Sequence, residues 1–196
     1  DLRKEPMILV IPPTKRQYWF PISDMRHDFD SNLSWDTVGA RGGAFALCAP
    51  GWQGVLPEGV QRIDMGTPLG WMVPRFAVNG DADLPGALAV QRQVRFVPLS
   101  QWGAANVSRP TPDPADFPRF TRKEMINAKE YFTTLNTLLR LSPRIGHPTD
   151  AAMAGWLREI AMDPATKFDW DKLAPQTRRG LERAATDAHK IIADRM

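Results

Sequence analysis

Pro110, Pro112, Pro114 and Pro118 stand too close together for a helix or a sheet ladder, because each fixes φ and removes a backbone donor. They cut the chain into two stretches. The spacing predicts an extended linker over 108–120, a domain over 1–107 before it and a helical region over 121–196 after it. Proline is frequent throughout, at 18 of 196 residues, so one long bundle or coiled coil is excluded and the elements should be short. A single cysteine, Cys48, rules out an internal disulfide framework and a cysteine-rich metal site. Apolar burial has to hold the fold.

Before the linker, short apolar and aromatic runs recur at strand length: Met7 to Ile11, Tyr18 to Ile22, Ala44 to Ala49, Val60 to Asp64, Trp71 to Val78 and Val94 to Val97. Turn formers separate them, among them Pro12-Pro13, Gly42-Gly43, Pro50-Gly51 and Asn79-Gly80. Pro21 and Pro74 interrupt two of the runs, which predicts edge strands or bulges there. A helix of about two turns should follow Asp83, with Pro85 near its first position. Hairpin-scale spacing favours antiparallel pairing over alternating βαβ units.

After the linker the apolar period becomes helical. Thr121 and Glu124 form a capping box, and Met125, Ala128, Phe132, Leu135 and Leu139 set one stripe on a helix ending near Pro143. A second helix from about Asp150 is expected to bury Met153, Trp156, Leu157 and Ile160. A third, from about Pro175, should bury Leu181, Ala184, Ala185, Ala188 and Ile192. The fold class read from the chain is therefore α+β, an antiparallel β-sandwich or barrel-like domain followed by an α-helical region.

Charge narrows the partners. Residues 1–100 hold ten Lys/Arg and ten Asp/Glu, so the net charge of +3 lies in the remaining fifteen and twelve. There Arg178, Arg179 and Arg183 are answered by Glu182 and Asp187, which leaves no stripe for neutralising phosphates. Nucleic acid is not an expected partner. No apolar stretch approaches the roughly 18 residues that span a bilayer. The chain opens at Asp1 almost directly on a strand and closes at Met196 in a helical pattern, so both ends read as cut and localisation stays open.

Asp24, His27, Asp28, Asp30 and Asn32 form the densest group of acid, base and metal-binding side chains. A carboxylate from Asp24 or Asp28 beside His27 would orient the imidazole for acid/base work. The plainer reading is a polar loop leaving a strand. The spacing Asp28, Asp30, Asn32 starts like a calcium loop, but Leu33 stands where glycine is needed and Gly39 where the bidentate glutamate belongs, so no metal is assigned. Cys48 sits among small apolar neighbours and reads as core; His147 and His189 have no second ligand and read as solvent-facing. Arg75, inside an apolar run, needs a carboxylate such as Asp64 or an anionic ligand. Arg41 lies in a glycine-rich segment that reads as a hairpin tip rather than a phosphate cradle. Of seven tryptophans, Trp35 and Trp102 sit among polar or small neighbours and are the candidates for stacking on a ligand, with burial as the plainer role.

Several segments, in order, resemble one family. Asp1-Leu2-Arg3-Lys4-Glu5-Pro6 with Met7 to Pro12 is similar to the opening of the bacterial domain of unknown function 1254. Thr37-Val38-Gly39, then Gly43 through Ala49-Pro50-Gly51-Trp52-Gln53-Gly54, Asn79-Gly80-Asp81-Ala82-Asp83-Leu84-Pro85 and Pro98-Leu99-Ser100-Gln101-Trp102-Gly103 continue the resemblance. It implies an internal fragment of a larger bacterial protein, commonly exported, that continues into a second β-rich domain numbered 1214. It implies no mechanism and no cofactor. Where the family tends to "D.YTN", this chain has Asp24-Met25-Arg26-His27-Asp28.

Two functions follow as expectations. One is a binding or assembly module for a small-molecule ligand, completed by the 1214-type domain. The other is an enzyme on a small polar or anionic substrate, of hydrolase or lyase type, with His27 as acid/base, Asp24 or Asp28 orienting it, and Arg75 or Arg41 holding an anion. The helices could also support a homo-oligomer.

Overall fold

The computed structural model describes residues 1–108, 127–143 and 148–195. It divides into two compact units, Asp1–Arg109 and Pro110–Met196. The architecture is mixed α+β, with two sheets in the first unit and helices in the second. Most of the proline linker, the Thr121/Glu124 capping box, Met125 and His147 lie outside the described residues.

In the first unit, β1 (Met7–Ile11), β4 (Gly43–Cys48), β5 (Val60–Asp64) and β8 (Arg95–Pro98) form one sheet in the order β5-β4-β1-β8. β2 (Tyr18–Asp24), β3 (Phe29–Ser34), β6 (Gly70–Met72) and β7 (Arg75–Phe76) form the other, in which β6 and β7 both pair with β2. The two sheets do not close into a barrel. All pairs are antiparallel except β4–β5, which is parallel. The connection between those two strands is long enough to bring the chain back in the same direction.

β1 is apolar at every position because both of its faces are covered. Met7, Leu9 and Ile11 share one core with Tyr18, Phe20 and Ile22 of β2 and with Phe45 and Leu47 of β4. Ile8 packs on the other face with Ala46 and Cys48, beneath Trp52, Leu56, Leu99 and Trp102. Cys48 is therefore core, and burial pushes its thiol pKa up.

Of the two expectations for Pro21, an edge strand or a bulge, β2 follows the second, since it lies inside its sheet. The pairing of β2 with β6 stops at Ile22 and resumes with β7 at Trp19, so the Val73-Pro74 break falls opposite Phe20 and Pro21. On the other side the ladder with β3 shifts register between Ile22 and Ser23, the bulge that a proline in a strand requires. β3 itself was hidden. Its residues Phe-Asp-Ser-Asn-Leu-Ser bury only Leu33 and Ser34, so the segment whose composition reads as a polar loop is an edge strand.

Ser34 caps a short helix, α1 (Trp35–Val38), whose Thr37 hydroxyl accepts from the Ser34 N–H at 2.9 Å. α2 (Leu84–Gln91) follows Asp83 with proline in its first turn, as its start signal predicts. Arg16 holds its entrance, donating to both oxygens of Asp83 at 2.6 Å, while Asn79 N–H donates to Asp83 Oδ2 at 2.9 Å. The Arg16 guanidinium keeps the Asp83 carboxyl far below the usual carboxylate range.

The second unit contains α3 (Ala128–Leu141), α4 (Pro148–Glu159) and α5 (Pro175–Ala193). Ala128 and Leu139 of α3 pack with Met162, Phe168, Trp170 and Leu173 and with Leu181 and Ala185 of α5. Two helical stripes are narrower than their sequence predicts. Leu157 and Ile160 meet the core, but Trp156, about 100° round the helix from Leu157, and Met153, one turn before Trp156, are exposed, Trp156 by 70%. On α5, Ala184, Ala188 and Ile192 are exposed too, because only one turn of that helix meets the core. His189 is half-buried, not solvent-facing as its sequence setting suggests.

Candidate functional site

The hairpin between β2 and β3 is tied by its first carboxylate. Asp24 Oδ1 accepts from the N–H groups of Arg26 at 2.7 Å and Asp28 at 3.1 Å, a local turn of the kind aspartate favours. Within it His27 takes a left-handed backbone conformation, φ 66°. Such a residue persists only where its surroundings hold it. Its ring lies 5.1 Å from that of Trp71 on β6.

The segment between β5 and β6 is clamped against this hairpin. Gly66 N–H donates to Asp30 Oδ1 at 3.0 Å, Met25 N–H donates to the Thr67 hydroxyl at 3.1 Å, and that hydroxyl donates to the Leu69 carbonyl. Asp24 and Asp30 converge on Gly66, where an added Cβ would lie 2.7 Å from Asp24 Oδ2 and 3.2 Å from Asp30 Oδ1. Glycine is required by that approach. Among the described residues, no group of three or more His, Cys, Asp or Glu side chains is placed to hold a metal ion.

Next to the clamp is a cavity of ≈ 240 Å³ in the first unit. Ile22 and Met72, opposite each other in the β2–β6 ladder, form one wall, and Leu47 of β4 and Phe96 of β8 form the facing one. Leu2, Met65, Gly70 and Trp71 line it as well, and Asp1 lies at it with its charge. The side chains contributed by the strands are apolar or aromatic, and Trp71 joins the cavity to His27 at its rim. Apart from Asp1, the lining is apolar or aromatic, which suits a small apolar molecule.

The residues singled out in the sequence separate into two groups. His27 and Asp24 belong to the hairpin that borders the cavity. Asp28 lies in the same turn. The other four lie elsewhere in their packing. Trp35 lies against the inter-sheet core, and Trp102 covers the opposite face of the first sheet. Arg41 is exposed in the turn before β4. Arg75 is exposed on β7, and its expected partner is taken: Arg62 holds Asp64 at 2.7 Å. A charge pair that sequence spacing does not show is Arg16–Asp83, whose members are 67 residues apart. Met65, Met72 and Phe96 were also missed, since apolar residues that line a cavity look like any other core residues in a sequence.

The family described as "Protein of unknown function (DUF1254)" matches residues 1–98. The chain belongs to this family. The DUF1254 match takes in all eight strands and every residue named above as lining the cavity, and it ends at the last residue of β8. Among solved structures, the VPA0106 protein from Vibrio parahaemolyticus is similar at a TM-score of 0.67 and 22% identity, over 100% of this chain and 47% of that one. That likeness shows the fold, and this DUF1254 chain spans about half the length of that neighbour. No curated protein matches.

Proposed function

We propose that the β unit binds a small apolar molecule between its two sheets, with His27 and Trp71 at the entrance. The observation that carries this is the ≈ 240 Å³ cavity lined by Ile22, Leu47, Met72 and Phe96. It is slightly smaller than the roughly 300 Å³ at which drug-sized sites begin, which favours a compact ligand. Titration with ethylbenzene should raise the melting temperature of the chain by mass action, by about 2.7 kcal/mol of stability at 100 times Kd. Trp71→Ala should weaken this response. No response to ethylbenzene or to indole would remove the reading.

A second reading, acid/base chemistry at His27 on the bound molecule, draws on its left-handed backbone beside Trp71. His27→Ala separates the two. Binding survives that change under both readings, whereas turnover in the full-length protein is lost only under the second. In the full-length protein a 1214-type domain is the proposed partner of this unit.

A further inference from the structure

We propose that the terminal methyl of Met65 sets the largest molecule the cavity accepts, and that glycine at position 70 is what lets it lie there. This rests on the ligand-binding reading above. Both residues line the cavity, and Met65 is buried. A Cβ built on Gly70 would lie 2.6 Å from the Met65 methyl carbon and 3.0 Å from the Ser23 carbonyl oxygen. Gly70 lies in β6 and is not among the residues with positive φ, so its backbone does not call for glycine. The space does. Met65 occupies that space with the free end of a chain of three rotatable bonds, which can swing aside. With a methyl at position 70, the open direction for the thioether end is the cavity itself.

An apolar cavity of roughly 150 Å³ holds benzene, so ≈ 240 Å³ takes one ring and a short alkyl arm. The accepted class is then a single-ring or similarly compact apolar molecule, and the side chain at position 65 is its stop. Each further methylene that the cavity can bury is worth about fourfold in affinity.

The test is a titration series of benzene, ethylbenzene and n-butylbenzene against the whole chain and three variants. The parent should prefer ethylbenzene. Met65→Ala should move the preference to n-butylbenzene, by about fourfold for each methylene newly buried. Gly70→Ala should weaken ethylbenzene by about tenfold, the equivalent of one to two methylenes displaced, and benzene by less. Joining Met65→Ala to Gly70→Ala should restore ethylbenzene toward the parent value, which guards against a single variant that simply folds badly. A parent that binds none of the three overturns the ligand-binding reading and this inference with it. A parent that binds, with the same size preference in all variants, overturns the role of Met65 alone.

Discussion

Among their described residues, the two units differ in how many large apolar side chains they bury completely. In the β unit, Tyr18, Phe20, Ile8, Leu9, Ile11 and Ile22 are almost wholly buried, and the sheets stack large side chains directly on one another. In the helical unit the most deeply buried side chains include a polar one. Asn136 donates from Nδ2 to the Asp163 carbonyl at 3.0 Å, and its Oδ1 accepts from Phe168 N–H at 2.9 Å. Both units thus join an apolar core to buried polar groups: Asn136 in the helical unit, whose core includes Met162, Phe168 and Leu181, and Asp24 and Thr67 at the end of the sheets in the β unit. The β unit also holds the cavity and all of the family match, while the helical unit leaves Trp156, Ile191 and Ile192 exposed. Packing density and openness to a ligand therefore coexist in the same unit.

Phe20→Ala is the most direct way to break this contrast. Phe20 meets Tyr18 and Phe76 edge to face, each at 5.7 Å between ring centres, and its loss should destabilise the β unit by about 3–5 kcal/mol in denaturant unfolding. A change below 1 kcal/mol would mean that the sheets do not share a tight core. In the helical unit, Asn136→Ala should cost about 1–3 kcal/mol, because a buried N–H and a carbonyl lose their partners. Hydrogen exchange at Phe168 reports it. If the Phe168 amide stays protected, the amide bridge is not what holds the 163–168 segment.

The Arg16–Asp83 pair sharpens the comparison through pH. Asp83 is held below its ordinary value of 3.8 in the folded chain, so as pH falls the unfolded state takes up the proton first. The pair's contribution is complete above the ordinary carboxylate value and shrinks as pH drops below it. Asp83→Asn should remove that part of the acid sensitivity of the β unit, seen as a shallower loss of melting temperature between pH 5 and 3 (a range of about two units around the unfolded value). An unchanged acid profile would contradict it. The smallest effect is expected at Trp156→Ala, within about 0.5 kcal/mol despite the size of the ring, because the side chain is mostly in solvent. A larger loss in an unfolding titration would show that this face is covered.

How much of this was legible in the residues follows from what each element buries. β1 and β5 begin and end where their apolar runs do, and α2 and α5 begin at Asp83-Leu84-Pro85 and Pro175, where start signals are local. β3 was invisible because an edge strand with Asp, Ser and Asn on it shows no alternation. Trp156 was misplaced because periodicity gives a stripe but not its width. The parallel run of β5 along β4 and the Arg16–Asp83 pair are long-range facts that no local pattern encodes. At the site, the polar hairpin with Asp24 and His27 stood out by composition. The cavity walls come from strands far apart in the chain, such as Ile22 and Phe96, and meet only in the fold.

The ligand is expected between the sheets and not among the helices. The sharpest measurement is an NMR titration of ethylbenzene into the chain labelled at its methionine methyls. Met65 and Met72 line the cavity, while Met153 and Met162 belong to the helical unit. Saturable shifts at Met65 and Met72, with Met153 and Met162 unmoved, are the expected result. Shifts confined to the helical methionines, or none at saturating ethylbenzene, would contradict it.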